Sequence, residues 1–289
     1  MEGKSLKGVI LAAGEGSRMN SVTYGAYPKE LLPIGNVPTI RFVLEALKVA
    51  GLRKVLVVID GKTKNGIVAG LGSGKRFGVD IGYIVQEKKV NFTGVGAAVY
   101  SVKGWIDENE DMLVACGDTI LCDFSKSNPF SCVQPLLKVH KFMDAIATVF
   151  VYPTNSNPTR YGVVKFNKIL KHNHILFGSL GNLVEKPSSD VAKAFRTNGY
   201  NYILTGYYIF KPKIFSYIER TKPDANGEIQ ITDSMELARE DGERICAVIH
   251  ANGSKDGILP CHYWDMGIPE DYKEANKHLF DLDLKQLLR

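Results

Sequence analysis

A set of short apolar runs in the first part of the chain limits its possible folds more than any other feature. The runs are GVILAA (Gly8 to Ala13), KVLVVID (Lys54 to Asp60), IGYIVQ (Ile81 to Gln86) and MLVACGD (Met112 to Asp118). Short runs of this kind, bounded by turn signals, have the pattern of strands covered on both faces. Between them the sequence reads as helix: Pro38 to Gly51 starts on proline, stops at glycine and places Ile40, Val43, Leu44 and Leu47 on one face. Strands alternating with helices predict an α/β fold with a doubly wound, mainly parallel sheet.

The rhythm changes after Asp118. AIATVFVY (Ala145 to Tyr152), YGVVKF (Tyr161 to Phe166) and LTGYYIF (Leu204 to Phe210) read as longer, partly alternating strands separated by turn-rich loops. They predict a mixed β extension of the same sheet rather than further βαβ units. A last helix opens at Pro269 and runs through Leu279, with Glu270 and Asp271 in its first turn and Lys277 and His278 near its end. No internal repeat or linker divides the 289 residues, so one domain is expected.

Composition narrows the partners. With 45% hydrophobic and 23% charged residues, the whole chain is expected to fold. The net charge of +5, from 36 Lys and Arg against 31 Asp and Glu, is scattered without a basic run. A nucleic-acid partner is therefore not expected, whereas small polyanions suit the balance. The apolar run near the start is too brief for a signal peptide or a membrane span, which predicts no membrane partner and a cytoplasmic location. Cys116, Cys122, Cys132, Cys246 and Cys261 are odd in number and lack C-x-x-C spacing, so they are read as reduced and structural. The sequons at Asn91 and Asn252 are then chance matches.

Glycine-rich loops invite a phosphate-binding reading. The strand ending at Ala13 runs into Gly14-Glu15-Gly16-Ser17-Arg18-Met19, but a dinucleotide fingerprint would need glycine where Met19 stands. The later loop Gly70 to Arg76 fails as a Walker loop, with Ala69 at the first glycine position and Arg76 at the hydroxyl position; it reads as a surface turn. Arg18 directly after the first loop, with Lys29 in Tyr27-Pro28-Lys29-Glu30-Leu31-Leu32-Pro33, sets that loop apart. Two cations beside a nest of backbone N–H groups can hold a triphosphate, although the same residues also suit a solvated turn. Asp118, at a strand end, reads either as a ligand or as a turn cap, and Asp265 and Lys186 read equally as turn residues. Of Tyr207 and Tyr208, at least one reads as core. The histidines show no metal spacing.

L-A-A-G-E-G-S-R-M followed by P-K-E-L-L-P-I-G-N-V-P-T-I resembles the signature of the sugar-1-phosphate nucleotidylyltransferases, a family with a Rossmann-like nucleotidyltransferase fold. Further landmarks follow in order along nearly the whole chain. Gln86 and the glycines of Thr93-Gly94-Val95-Gly96-Ala97-Ala98 resemble the segment that reads the nucleobase. Cys116-Gly117-Asp118 resembles the strand-end aspartate that holds Mg²⁺, and Tyr161-Gly162-Val163-Val164, Val184-Glu185-Lys186-Pro187 and Thr205-Gly206-Tyr207-Tyr208 resemble the sugar-binding strands. Gly227 to Asp233 and Tyr263 to Tyr272 complete the set, with Asp265 matching the second metal aspartate.

The resemblance implies transfer of a nucleotidyl group from UTP or dTTP to a sugar 1-phosphate, glucose 1-phosphate being favoured, with release of pyrophosphate. It implies Arg18, Lys29 and Lys186 as catalytic cations, and Asp118 and Asp265 as ligands of a Mg²⁺ cofactor. Leu11, Ala12, Ala13, Gly14, Glu15, Gly16, Ser17, Gln86, Gly94 and Gly96 would bind the nucleotide, and Tyr161, Gly162, Glu185 and Tyr208 the sugar. Residues 1–125 would then serve mainly the nucleotide, 126–260 mainly the sugar, and 261–289 would carry the metal aspartate and the final helix. A homo-oligomer is compatible with the sequence. The segment between Gln86 and Gly94 is longer than the family pattern, leaving open which of Gly94 and Gly96 meets the base, and Ile268 stands in place of a usual threonine. The chain ends soon after its last helix, so the left-handed β-helix of bifunctional relatives is not expected. The rival from another class is a catalytically inactive, nucleotide-sugar-binding regulatory subunit, disfavoured by the joint presence of Arg18, Lys29, Asp118, Lys186 and Asp265.

Overall fold

The structure, a computed structural model, describes residues 6–87, 89–123, 126–250 and 262–280. Cys261 and the sequon at Asn252 lie outside the described residues. The four apolar runs form neighbouring parallel strands in the order Asp80–Val85, Lys54–Ile59, Leu6–Ala12, Asp111–Cys116. Their registers bring Ile10 opposite Val57 on one side and Ala115 on the other, which is why both neighbours of the first strand are as apolar as the strand itself.

Beyond Asp111–Cys116 the sheet turns mixed. Asn201–Phe210 pairs antiparallel with Asp111–Cys116 and with Ala147–Thr154. Ile245–Ile249 lies parallel to Ala147–Thr154 and antiparallel to Ile175–Glu185, and Leu170–His172 forms the edge. Gly162–Phe166 joins from the side, pairing with Ile175–Glu185 and Asn201–Phe210, to make ten strands. The expected β extension is thus present; Ile245–Ile249 was not expected as a strand, and of Ile175–Glu185 only the end at Val184 and Glu185 was. A separate antiparallel pair, Thr119–Cys122 with His262–Asp265, carries the last helix, Pro269–Leu279, back to the end of the parallel block.

Side chains alternate between two cores. Ile10 and Ala12 of the first strand face one core with Phe42, Leu44 and Leu47 of helix Thr39–Val49 and Leu136 and Val139 of helix Gln134–Met143. Val9, Leu11 and Ala13 face the other, with Val99 of helix Gly94–Tyr100, Ile214 and Ile218 of Ile214–Arg220, and Met235 and Ala238 of Ile231–Glu240. Burying each of these large aliphatic side chains contributes about 1.5–3 kcal/mol against conformational entropy.

Strand order in the parallel block reverses between Leu6–Ala12 and Asp111–Cys116. Loops leaving the carboxyl ends of these two strands diverge, opening a crevice there. Next door, Asn201–Phe210 shifts register against Ala147–Thr154 between Leu204 and Tyr208, where Gly206 takes φ +82°. A bulge of this kind re-aims side chains towards the crevice.

Candidate functional site

A cleft of about 1120 Å³ occupies this crevice and extends over the mixed half of the sheet. One wall is the loop from Ala13 to Arg18. Gly16 has φ +72°, and a Cβ there would lie 3.2 Å from Cδ of Lys29, so the loop backbone lies flat along the lysine stem. That close approach explains why glycine follows the strand, independent of any dinucleotide pattern. Lys29 itself leaves the short 3₁₀ turn Lys29–Leu31 and ends 2.5 Å from Oδ2 of Asp118.

Asp118 and Asp265 arrive from the two strand ends joined through the small antiparallel pair, and the Met266 N–H donates to the Asp118 carbonyl at 2.8 Å. The Gly267 N–H donates to Oδ1 of Asp265, and the Asp265 N–H donates to Oδ2 of Asp271. A Cβ on Gly267 would stand 2.7 Å from Oδ1 of Asp265, 3.2 Å from an Arg18 guanidinium nitrogen and 3.3 Å from Oδ2 of Asp118. Gly267 therefore keeps open the point where two carboxylates and a cation converge. Arg18, roughly half exposed, lies 3.8 Å from Asp265.

Charge in this wall is tightly balanced. Burial raises the Asp118 pKa, but Lys29, by its charge and hydrogen bond, outweighs burial and holds it below the ordinary value. Burial and the repulsion of Asp118 push Asp265 up to about 6, against the pull of Arg18 and Lys29. Burial alone would lower Lys29, yet Asp118, Glu30 and Asp265 together raise it. Two hard carboxylates competing for the same cations are the donor set that suits Mg²⁺, which needs one or two carboxylates and completes its shell with phosphate and water oxygens.

The opposite wall comes from the mixed strands. A Cβ on Gly162 would lie 2.9 Å from both Oε2 of Glu185 and Oγ1 of Thr232, which are themselves hydrogen-bonded at 2.7 Å. Burial raises the Glu185 pKa although Thr232 and Lys186 oppose it. Lys186 adopts φ +44° ahead of Pro187, an unusual backbone for a non-glycine residue, and its N–H donates to the Tyr161 carbonyl at 3.1 Å. The Lys186 ammonium lies 3.8 Å from Oε2 of Glu228.

A strap closes the third side. The Thr93 N–H and hydroxyl donate to the Gly227 carbonyl, the Ile229 N–H donates to Thr93, and the Gly96 N–H donates to Ile229 at 2.8 Å. Glu228 in turn accepts from the Gln230 amide, which also bonds Asp224.

Arg18, Lys29, Lys186, Leu11, Ala13, Gly14, Glu15, Gly16, Ser17, Gln86, Gly94, Tyr161, Gly162, Glu185, Tyr208, Asp118 and Asp265 all line this cleft. Two expected residues do not. Ala12 is buried on the opposite face of the sheet, one residue out of phase with Leu11 and Ala13. Gly96 packs on Ile229, whose carbonyl and side chain occupy the space a Cβ would need; Gly94, with φ +82°, packs on Glu228 and the Ile229 backbone but also borders the cleft. Thr93, Arg160, Gly206, Glu228, Gln230 and Gly267 line the cleft without having been singled out. Gly206 and Gly267 sit inside quoted motifs, but only the fold shows which neighbours require them. Cys116, read as structural, also borders the cleft, while Cys122, Cys132 and Cys246 are buried and free; burial pushes Cys246 up to about 12. Tyr207 is core, its hydroxyl donating to the Thr119 carbonyl. The Gly70 to Arg76 segment lies away from the cleft; Gly70 and Leu71 end the helix Asn65–Leu71, with Leu71 buried, so only the part from Gly72 onward is the expected turn. Among the described residues, no helix is long and apolar enough to cross a membrane.

The sequence model of the nucleotidyl transferase family matches residues 7–281. A low-salt glycan biosynthesis nucleotidyltransferase of Haloferax volcanii is 30% identical over 94% of this chain, which spans 65% of that relative's length. A glucose-1-phosphate thymidylyltransferase of Neisseria meningitidis is 31% identical over 82% of this chain and 72% of its own. A crystal structure of a UDP-glucose pyrophosphorylase complexed with UDP-glucose superposes with a TM-score of 0.75, covering 96% of this chain and 98% of that one; at 23% identity it speaks for the fold.

Proposed function

The chain belongs to the sugar-1-phosphate nucleotidyltransferase family, and on that premise we propose that it transfers a nucleotidyl group from UTP or dTTP to glucose 1-phosphate, releasing pyrophosphate. The observation that carries this reading is the convergence of Arg18, Lys29, Asp118 and Asp265 at the switch point, facing Glu185 and Lys186 across one cleft. The sugar phosphate is largely dianionic at neutral pH, so the nucleophile needs no base. One of its oxygens forms the new bond to the α-phosphorus while the bond to the β-phosphate breaks, and pyrophosphate carries the charge away. The barrier is repulsion between anions, and the protein lowers it by alignment and fixed positive charge.

Arg18 would meet the β- and γ-phosphates from the exposed side of the loop. Lys29, held against the glycine backbone, would give a fixed point charge to the triphosphate as negative charge shifts during transfer. Lys186, on its strained backbone opposite, would bring in the sugar phosphate, with Glu185 accepting from sugar hydroxyls. Gln86 and Gly94 would border the base. Asp118 and Asp265 would hold Mg²⁺, which when bound supplies charge neutralisation at the α-phosphate.

The experiment is pyrophosphate release over a grid of nucleoside triphosphates and sugar 1-phosphates with Mg²⁺. Release with UTP or dTTP and glucose 1-phosphate is expected. Nucleotide-sugar binding without release in any pairing would restore the regulatory-subunit reading.

A further inference from the structure

Lys64 and Glu30 form an ion pair at 2.7 Å in which both side chains are only 2% exposed. The proposed chemistry uses neither. A buried pair of this kind is a poor stability device, because desolvating two ions offsets most of their attraction. Its placement supplies another reason for it. Glu30 is the immediate neighbour of Lys29 in the turn Lys29–Leu31, and its stem passes beneath the end of the metal-side strand, where a Cβ on Gly117 would lie 3.3 Å from Cγ of Glu30.

A second carboxylate so near Lys29, in a low-dielectric wall, would draw on the same ammonium that Asp118 already holds. Lys64 cancels it. Charges then alternate inward from the cleft: Asp118, Lys29, Glu30, Lys64. The loop that delivers Lys64 is itself fixed, since Asp60 accepts from the N–H groups of Lys62 and Thr63 at 3.0 and 2.6 Å and from the Thr63 hydroxyl at 2.7 Å. Glu30, almost wholly buried, still borders the cleft beside Lys29, whereas Lys64 does not line it.

We propose that Lys64 is a positioning residue for nucleotidyl transfer: by neutralising Glu30 from behind, it leaves the charge of Lys29 available to the triphosphate. The inference rests on the functional reading above. It also predicts an asymmetry that a structural anchor would lack. Removing Lys64 exposes Lys29 to Glu30, whereas removing the Glu30 charge, alone or together with Lys64, leaves Lys29 free for its substrate.

The test compares K64M, E30Q and K64M/E30Q with the wild type, using UTP, glucose 1-phosphate and Mg²⁺, with the folded fraction of each fixed by thermal melting. K64M is expected to lose about tenfold or more in kcat per folded molecule, with the KM for the sugar phosphate within about twofold. E30Q and the double variant are expected to keep kcat within about threefold of wild type. A K64M kcat within about twofold of wild type, or a double variant no more active than K64M, overturns the proposal. Should K64M fail to fold, the other two decide, and a kcat below about a tenth of wild type in either one overturns it. Failure of the functional reading shows separately, as a wild type that releases no pyrophosphate in any pairing. Calorimetry with inorganic triphosphate and Mg²⁺ then reads the same asymmetry, K64M binding weakest; equal binding by all variants, or none by the wild type, overturns the proposal.

Discussion

Gly267 shows how much one missing methyl group decides at the scale of the residue. Its α-carbon stands where Asp265, Asp118 and Arg18 meet, and a Cβ would press on all three. Gly267→Ala is expected to leave the melting temperature close to wild type while raising the Mg²⁺ concentration for half-maximal turnover about tenfold, equivalent to ~1.4 kcal/mol. Titration of pyrophosphate release with Mg²⁺ checks this, and an unchanged midpoint would count against the role given to the two aspartates. Arg18, Lys29 and Asp118 were legible in the sequence because each is marked by local context: a glycine loop, a proline turn, the end of an apolar run. Lys64 was not, because what singles it out is Glu30, a partner brought to it by the fold. Ala12 lies outside the cleft for a simpler reason. A motif quoted as a continuous string ignores that successive strand residues point to opposite faces.

Among the elements, the strap between Thr93–Gly96 and Gly227–Ile229 ties the start of helix Gly94–Tyr100 to the wall that carries Lys186, through Glu228. Gly96→Val would force two extra methyl groups onto Ile229, where a Cβ alone already meets its side chain and carbonyl at 2.7 Å. The expected cost is about 1–3 kcal/mol of stability, with the KM for the nucleotide rising and that for the sugar phosphate little changed; thermal melts and the two KM values measure it. The parallel strands and helix Thr39–Val49 were readable because their periodicity is local and their ends are punctuated by proline and glycine. Most of Ile175–Glu185 was not, since Gly178 and Gly181 interrupt its apolar pattern ahead of Val184 and Glu185. The fold explains Gly178, where the Lys168 carbonyl occupies the place of a Cβ. Ile245–Ile249 is apolar enough, but nothing in its own residues shows that it enters between Ala147–Thr154 and Ile175–Glu185.

For the molecule as a whole, His250 sets a limit on the acid side. It is fully buried beside Phe150, neither ring nitrogen has a hydrogen-bond partner among the described residues, and burial, aided by His262, lowers its pKa from 6.5 to about 3. A histidine held neutral in the fold takes up its proton first in the unfolded chain. Stability is therefore complete above pH 6.5 and falls as pH drops from there towards 3, by up to about 1.4 kcal/mol per pH unit from this group. His250→Leu is expected to flatten that slope by the same amount in denaturant unfolding between pH 4 and 6, and an unchanged slope would remove His250 as its source.

The position of Ile245–Ile249 also gives the fold a timetable. Ala147–Thr154 is made long before the strand that lies against its outer edge, so that edge stays open while the intervening segment leaves the ribosome. At synthesis rates of about 5–20 residues per second, the wait is on the order of 5–20 seconds. Throughout it, VFVY offers an unpaired apolar strand to any passing chain. The parallel block can assemble early from neighbouring segments, whereas the mixed half depends on pairings far apart in sequence. Newborn copies are thus most vulnerable to aggregation after the parallel block has formed and before the mixed half has closed.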